Sequence, residues 1–425
     1  MKLAKQFSVY TLVGFLNAGI GFLILPVLTH YLSPADYGVI SLMNTYVQIL
    51  MPVVGLSTAS FISVEYFNKK LEAHQFKEIF SSVRAIPLLL LLPFLLLFIA
   101  GYKFLPSLME LPILAYWLLL PLTLFVLYTD NFKSFLVISK RMTLFTVTTL
   151  GKILIEIPLT LLLLIYVHLQ WDGRIYAWLF TVVIFSLLSV YYYRKWNLLE
   201  FIVKREYVKQ AIVFGAPLIL HQIGKFVINQ SDRLFLTKMI SVEEMGIYSV
   251  GYQVGMVILI LVTAFSNFFS PFLYERLNRN TEQDKIEIVR VSYLFIIGMF
   301  LTLTILTILT PGFFAYFISE KFSKASIYVF WIGLSYCFWG IYIVFTGYIF
   351  YLKKSKVLGR LAILNVAVNL SSNYFFIKWF GTVGAAYATC LSFALVCIII
   401  VVIAQKLYPM PWLAFRRLLN FKKEN

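Results

Sequence analysis

Charge is scarce in this sequence. Asp, Glu, Lys and Arg make up 13% of its 425 residues, against about 25% in soluble domains, while apolar types reach 61%. That balance excludes an ordinary soluble enzyme and a disordered chain. Cysteine is nearly missing. Cys337, Cys390 and Cys397 all fall inside apolar runs, so no disulfide framework is indicated, and four scattered histidines indicate no metal site. Long polar stretches are absent too. The widest gaps between apolar runs, 194–210 and 274–290, are too short for a soluble domain or the catalytic loop of a membrane-embedded enzyme. No G-x-x-x-x-G-K-[ST] loop is present, so ATP is not an expected direct energy source. Acidic residues are the rarer sign, 19 against 36 Lys and Arg, which gives a net charge of +17.

What the sequence does have is long apolar runs. A helix needs roughly 20 such residues to cross the hydrocarbon. Twelve windows qualify: 7–31, 37–64, 86–104, 111–135, 144–168, 175–193, 211–230, 245–273, 291–310, 327–352, 361–379 and 383–406. The expected fold is an all-α polytopic membrane protein. The first run is too long for a signal-peptide core and has no small-residue cleavage pattern after it, so it is read as a retained span.

Basic residues orient the chain. With both termini cytoplasmic, 26 of the 36 Lys and Arg fall inside and 7 outside, leaving Lys133, Lys152 and Lys225 within spans. Acidic residues divide 10 inside and 7 outside, with Asp130 and Glu156 in spans. Nearly all of the +17 is therefore an orientation signal, and no nucleic-acid partner is needed to explain it. Segments 68–82, 195–210 and 412–423 mix basic with apolar residues and read either as helices lying on the anionic inner leaflet or as solvated loops.

The chain repeats itself at an offset of 208. Segment 28–41 (LTHYLSPADYGVIS) aligns with 236–249 (LTKMISVEEMGIYS), pairing Ser33 with Ser241, Asp36 with Glu244 and Gly38 with Gly246. The serines suit helix N-caps, the acids the first turn, and the glycines close helix packing. Six spans separate the copies, so two six-helix halves share one orientation, as in alternating-access transporters. The expected division is 1–194 and 211–407 for the halves, with a cytoplasmic linker at 195–210 and a basic tail at 408–425.

The segments 28–41, 229–236 (NQSDRLFL) running on to 246–252, and 365–392 with GTVGAAYAT at 381–389 resemble Wzx-type flippases. These form the polysaccharide-transporter branch of the MOP exporters. The similarity covers nearly the whole chain. It implies a MATE-like, V-shaped helical protein of the bacterial inner membrane. It further implies movement of undecaprenyl-diphosphate-linked oligosaccharide between leaflets, for O-antigen, capsule or exopolysaccharide. A polysaccharide polymerase and chain-length proteins are implied partners. No cofactor is implied, and an H+ or Na+ gradient is one source of energy. A drug-exporting relative of the same superfamily is the alternative, but cationic drugs call for cavity carboxylates, which are few here.

Ionisable groups inside a membrane usually face a cavity. Lys152 and Glu156 share a helix face at i,i+4, and so do His221 and Lys225. Lys can serve a diphosphate as a point charge. Lys152–Glu156 also reads as a self-contained ion pair, Glu156 as a proton or sodium carrier, and His221 as a packing or proton-coupling residue. Asp130 and Lys133 near the inner end of the fourth span read as structural. Asp232 and Arg233 near the outer end of the seventh read as gate or anchor residues, with partners expected on other helices. Asn365, Asn369 and Asn373 form one polar stripe, suited to bonds between helices or to sugar hydroxyls. Asn17, Asn44 and Gln48 are weaker cases of the same kind. None of the 40 Phe and 27 Tyr is singled out. No catalytic residue is expected.

Overall fold

In a computed structural model, Phe22 and residues 24–412 are described. Most of the first expected span, with Asn17, and residues 413–425 of the basic tail lie outside the described residues. The described elements are helical, with no strand among them. In chain order they are α1 (Leu25–Tyr31), α2 (Pro34–Gly55), α3 (Thr58–Tyr66), α4 (Ala73–Arg84), α5 (Ile86–Gly101) and α6 (Leu105–Leu108). There follow α7 (Ile113–Ile138), α8 (Met142–Ile165), α9 (Trp171–Lys195), α10 (Arg205–Met239) and α11 (Val242–Gly255). The chain continues through α12 (Val257–Arg279), α13 (Glu282–Phe317), a 3-10 turn (Glu320–Ala325), α14 (Ser326–Tyr351), α15 (Ser355–Phe380) and α16 (Val383–Leu407).

Ten described helical segments are long and apolar enough to cross a membrane. The 26-residue α15 is as long as they are, but its asparagine stripe lowers its hydropathy and it is not among the ten. The apolar surface fits such a role. Leu88, Leu89, Leu92 and Leu96 of α5 are each at least half exposed, which in water would form an aggregation-prone patch.

The helices gather into two compact units, one ending at Gly246 and the other beginning at Ile247. In the first, α2 packs on α7 and α10, α7 on α9, and α9 on α8. Its core includes Phe61, Ile79, Phe80, Val83, Phe132, Phe135 and Tyr193. In the second, α14 packs on α16, α12 and α13, and α15 lies against α16. Its core includes Phe269, Leu273, Ile288, Val344, Tyr348 and Ile400.

Local chemistry sets several helix ends. Ser33 caps α2 in a full capping box, because Asp36 N donates to Ser33 Oγ at 3.1 Å while Ser33 N donates to Asp36 Oδ2 at 3.0 Å. Its repeat counterpart behaves alike, with Glu244 N donating to Ser241 Oγ at 3.1 Å.

One expectation needs correction, and two open readings resolve. The run 37–64 is not one helix. It breaks after Gly55, where Leu56 and Ser57 take left-handed backbone angles (φ 45° and 53°). The break is held from α10, whose Gln222 Nε2 donates to Ser57 Oγ at 2.6 Å. Of the two readings open for 195–210, a separate surface helix is not the one that forms. Residues 197–204 run irregularly and Arg205 opens the 35-residue α10. By contrast, segment 68–82 does contribute a helix of its own, α4, which continues into α5.

Candidate functional site

The first unit gathers five charges and a threonine where α7, α8 and α9 meet. Lys152 and Glu156 lie on α8, as their spacing requires, but their ammonium and carboxylate are 3.8 Å apart. Glu156 has a closer partner. Arg174 of α9 reaches Glu156 Oε1 at 2.6 Å, and its Nη1 donates to Thr160 Oγ1 at 3.3 Å. The apolar window of this helix opens only at residue 175, which would leave Arg174 in the preceding loop. It sits instead one turn into α9, because that helix begins at Trp171. On α7, Lys133 and Asp130 pair at 2.6 Å, within electrostatic reach of Lys152.

The electrostatics of this cluster follow from the count. Three cations (Lys133, Lys152, Arg174) face two carboxylates (Asp130, Glu156), so one positive charge is left over. Glu156 is 9% exposed, and the side chains of Lys152 and Arg174 about 20%. A short Arg–carboxylate contact is a charge-assisted bond, stronger than the long Lys contact. Lys152 is therefore the more loosely held of the two cations around Glu156. Nothing in the sequence spacing could have shown this, because Arg174 is 18 positions beyond Glu156 and on another helix.

The other expected residues lie elsewhere. His221 and Lys225 share an exposed face of α10. Lys225 has no ion pair among the described residues; its backbone carbonyl accepts from Asn229 Nδ2 at 2.7 Å. Asp232 and Arg233 are buried, 4% and 8% exposed. Although neighbours in sequence, they touch directly. Arg233 Nη1 lies 3.3 Å from Asp232 Oδ1 and also donates to Asn229 O at 3.2 Å. Arginine is long enough to fold back along its own helix, which a spacing argument overlooks. Near them, Gln230 Nε2 donates to Gln48 Oε1 at 3.4 Å, and Gln48 in turn donates to Asn44 Oδ1 at 3.2 Å.

The asparagine stripe is buried in the second unit, with Asn365 at 3% and Asn369 at 1% exposure. Asn369 Nδ2 donates to Ser392 Oγ of α16 at 3.3 Å, and Asn373 Nδ2 to Asn369 Oδ1 at 3.1 Å. Asn365 and Asn369 thus occupy a helix–helix seam rather than an open surface. Asn369 finds its partner on the next helix, as an amide that is costly in lipid should, while Asn365 Oδ1 is buried without a hydrogen-bond partner among the described residues.

A second polar cluster closes the irregular segment 197–204 onto α4. Glu200 N donates to Ser81 Oγ at 2.8 Å and Lys204 N to Ser82 Oγ at 2.9 Å. Lys77 pairs with Glu200 at 3.0 Å, and Lys204 Nζ donates to Glu78. His74, Glu78 and Glu200 come close enough here to hold a cation, but Lys77 and Lys204 already supply the positive charge.

Comparison with known proteins places these helices in a family. The profile described as "Polysaccharide biosynthesis protein" matches residues 3–269. Two proteins of Haemophilus influenzae, an "Uncharacterized membrane protein" and "Lsg locus putative protein 1", are each 24% identical over 88% of this chain and 90% of their own length. Among solved structures, the lipid II flippase MurJ in an inward closed conformation matches with TM-score 0.72 at 16% identity, over 93% of this chain and 87% of that one. An inward-facing multidrug resistance MATE transporter of the MOP superfamily matches with TM-score 0.69 at 12% identity, over 95% and 96%. The fold is that of the MOP exporters.

Proposed function

We propose that this chain, which belongs to the polysaccharide biosynthesis protein family, is a flippase for undecaprenyl-diphosphate-linked oligosaccharide. It moves its cargo by alternating access from the cytoplasmic to the outer leaflet of a bacterial inner membrane, with both termini cytoplasmic. The observation that carries the reading is the surplus of positive charge among the intramembrane groups. Lys152 is only loosely held by Glu156, and Lys225 is exposed without an ion pair among the described residues. A diphosphate needs cations, and low dielectric strengthens their attraction. Family membership supports a polysaccharide precursor as the cargo.

The fold alone also fits a second reading, an ion-coupled multidrug exporter, because MATE transporters share it. The charge argues for the first, since the carboxylates that would attract cationic drugs are already bound to Arg174 and Lys133. Coupling to an H+ or Na+ gradient is compatible with both.

The test is a strain lacking the gene. It should lose surface polysaccharide, accumulate its lipid-linked precursor inside, and regain both on complementation. Lys152→Ala and Lys225→Ala should insert normally yet restore little polysaccharide. A deletion strain with normal polysaccharide and a new drug sensitivity would replace this reading with the second.

A further inference from the structure

Arg84 presents an unresolved charge. It ends α4, inside the first unit, and none of the ion pairs among the described residues includes it. Its Nη2 donates to Ser189 Oγ at 3.2 Å, but its Nη1 is buried without any hydrogen-bond partner. Two rings flank the guanidinium, Tyr193 at 4.4 Å and Tyr128 at 5.1 Å from Cζ. Those rings favour a cation but accept no conventional hydrogen bond and carry no negative charge. A half-buried cation without a counter-charge, one of whose nitrogens is buried with its bond unmade, is costly, and something normally compensates it.

The surroundings indicate what is missing. Arg84 lines a cavity with Phe80, Tyr128, Asn131, Phe135 and Tyr193. The Tyr128 hydroxyl is already used, donating to Arg84 O at 3.0 Å. One N–H of the Asn131 amide is used too, donating to Thr58 Oγ1 at 3.2 Å. Tyr193 is 2% exposed, and its hydroxyl has no hydrogen-bond partner among the described residues. Arg84, with its unpaired Nη1, therefore lines one cavity together with Tyr193 and Asn131, and no carboxylate is in that lining. The free space holds about one water-sized body. That is too small for a phosphate ester or a sugar.

We propose that this cavity binds a single halide-sized monovalent anion, chloride under cellular conditions, held by Arg84 and Tyr193. The anion takes the place of the missing carboxylate. It neutralises Arg84, accepts from its Nη1 and from the Tyr193 hydroxyl, and ties α4 to α9. The site is separate from the Lys152–Glu156–Arg174 cluster and does not depend on what the protein transports.

Thermal unfolding of the purified full-length protein tests this, with gluconate replacing chloride at constant ionic strength. The wild-type midpoint should rise with chloride and saturate, since a ligand that binds only the folded state stabilises it by mass action. Bromide should substitute for chloride. Tyr193→Phe should shift half-saturation to about tenfold higher chloride, the effect of losing one bond to a charged group. Arg84→Met should abolish the response. Should that variant not fold, an anomalous bromide peak beside Arg84 in wild-type crystals and the Tyr193→Phe titration decide the matter. Equal wild-type midpoints in chloride and gluconate would mean that only water occupies the cavity and would overturn the proposal. A bromide peak elsewhere with an unchanged Tyr193→Phe titration would do the same.

Discussion

Gly38 and Gly246, equivalent positions of the internal repeat, lie against each other. A Cβ on Gly246 would stand 2.8 Å from Gly38 N and overlap the Pro34 carbonyl oxygen. A Cβ on Gly38 would overlap the carbonyl oxygen of Val242, which is the counterpart of Pro34, and stand 2.7 Å from Val242 Cγ1. The contact is reciprocal, as a self-complementary pairing about a local two-fold requires. The two copies of the repeated segment thus pack backbone to backbone through their glycines.

Backbone cannot yield as a flexible side chain can. Gly38→Leu and Gly246→Leu should each destabilise the protein by about 2 kcal/mol, the usual cost of overpacking, read as a lower thermal midpoint in detergent. Either substitution forces the same two segments apart. The double variant should therefore cost clearly less than the sum of the singles; strict additivity would show that the two glycines do not share one contact.

Removing Arg174 leaves Glu156 buried with only the distant Lys152. Arg174→Met should cost about 3 kcal/mol, as for other buried pairs broken on one side. Glu156→Gln added to it should recover part of that loss, because the stranded carboxylate goes. A double variant no more stable than Arg174→Met would contradict the pairing.

The contacts between 197–204 and α4 should protect that segment from proteolysis. Glu78→Gln removes the negative charge that holds the Lys204 ammonium and should speed tryptic cleavage at Lys204–Arg205. Glu78 also gives this bond a pH dependence. It holds the Lys204 ammonium above its usual value of 10.5. A raised lysine contributes its stabilisation below the unfolded pKa and loses it as pH rises through the folded one. Protection should therefore be flat from neutral pH to about 9 and fall only above 10.5, while Glu78→Gln should show little of this dependence.

Cys337, Cys390 and Cys397 are free and buried, at 0%, 8% and 4% exposure. A maleimide should label none of them in the folded protein and all three after denaturation. Rapid labelling of the native state would show that α14 and α16 open.

Much of this was legible in the residues themselves. Hydropathy marked the long helices because lipid demands apolar side chains over a fixed length. The capping serines were readable because a cap depends on neighbours three positions away. The i,i+4 pair on α8 was readable for the same reason. The asparagine stripe announced a polar face, but whether that face met sugar or a helix was not encoded locally.

What the sequence by itself determined is the membrane class, the helix positions, the repeat and the sign of the intramembrane charge. All of these depend on composition or on short-range spacing. Only the tertiary structure decided partners. It gave Glu156 a second and closer partner in Arg174, broke the second helix at Leu56–Ser57, set Gly38 on Gly246, and left Arg84 between two tyrosines without a counter-charge. Electrostatic and packing energies depend on distances between atoms, and between separate helices those distances arise only when the chain has folded.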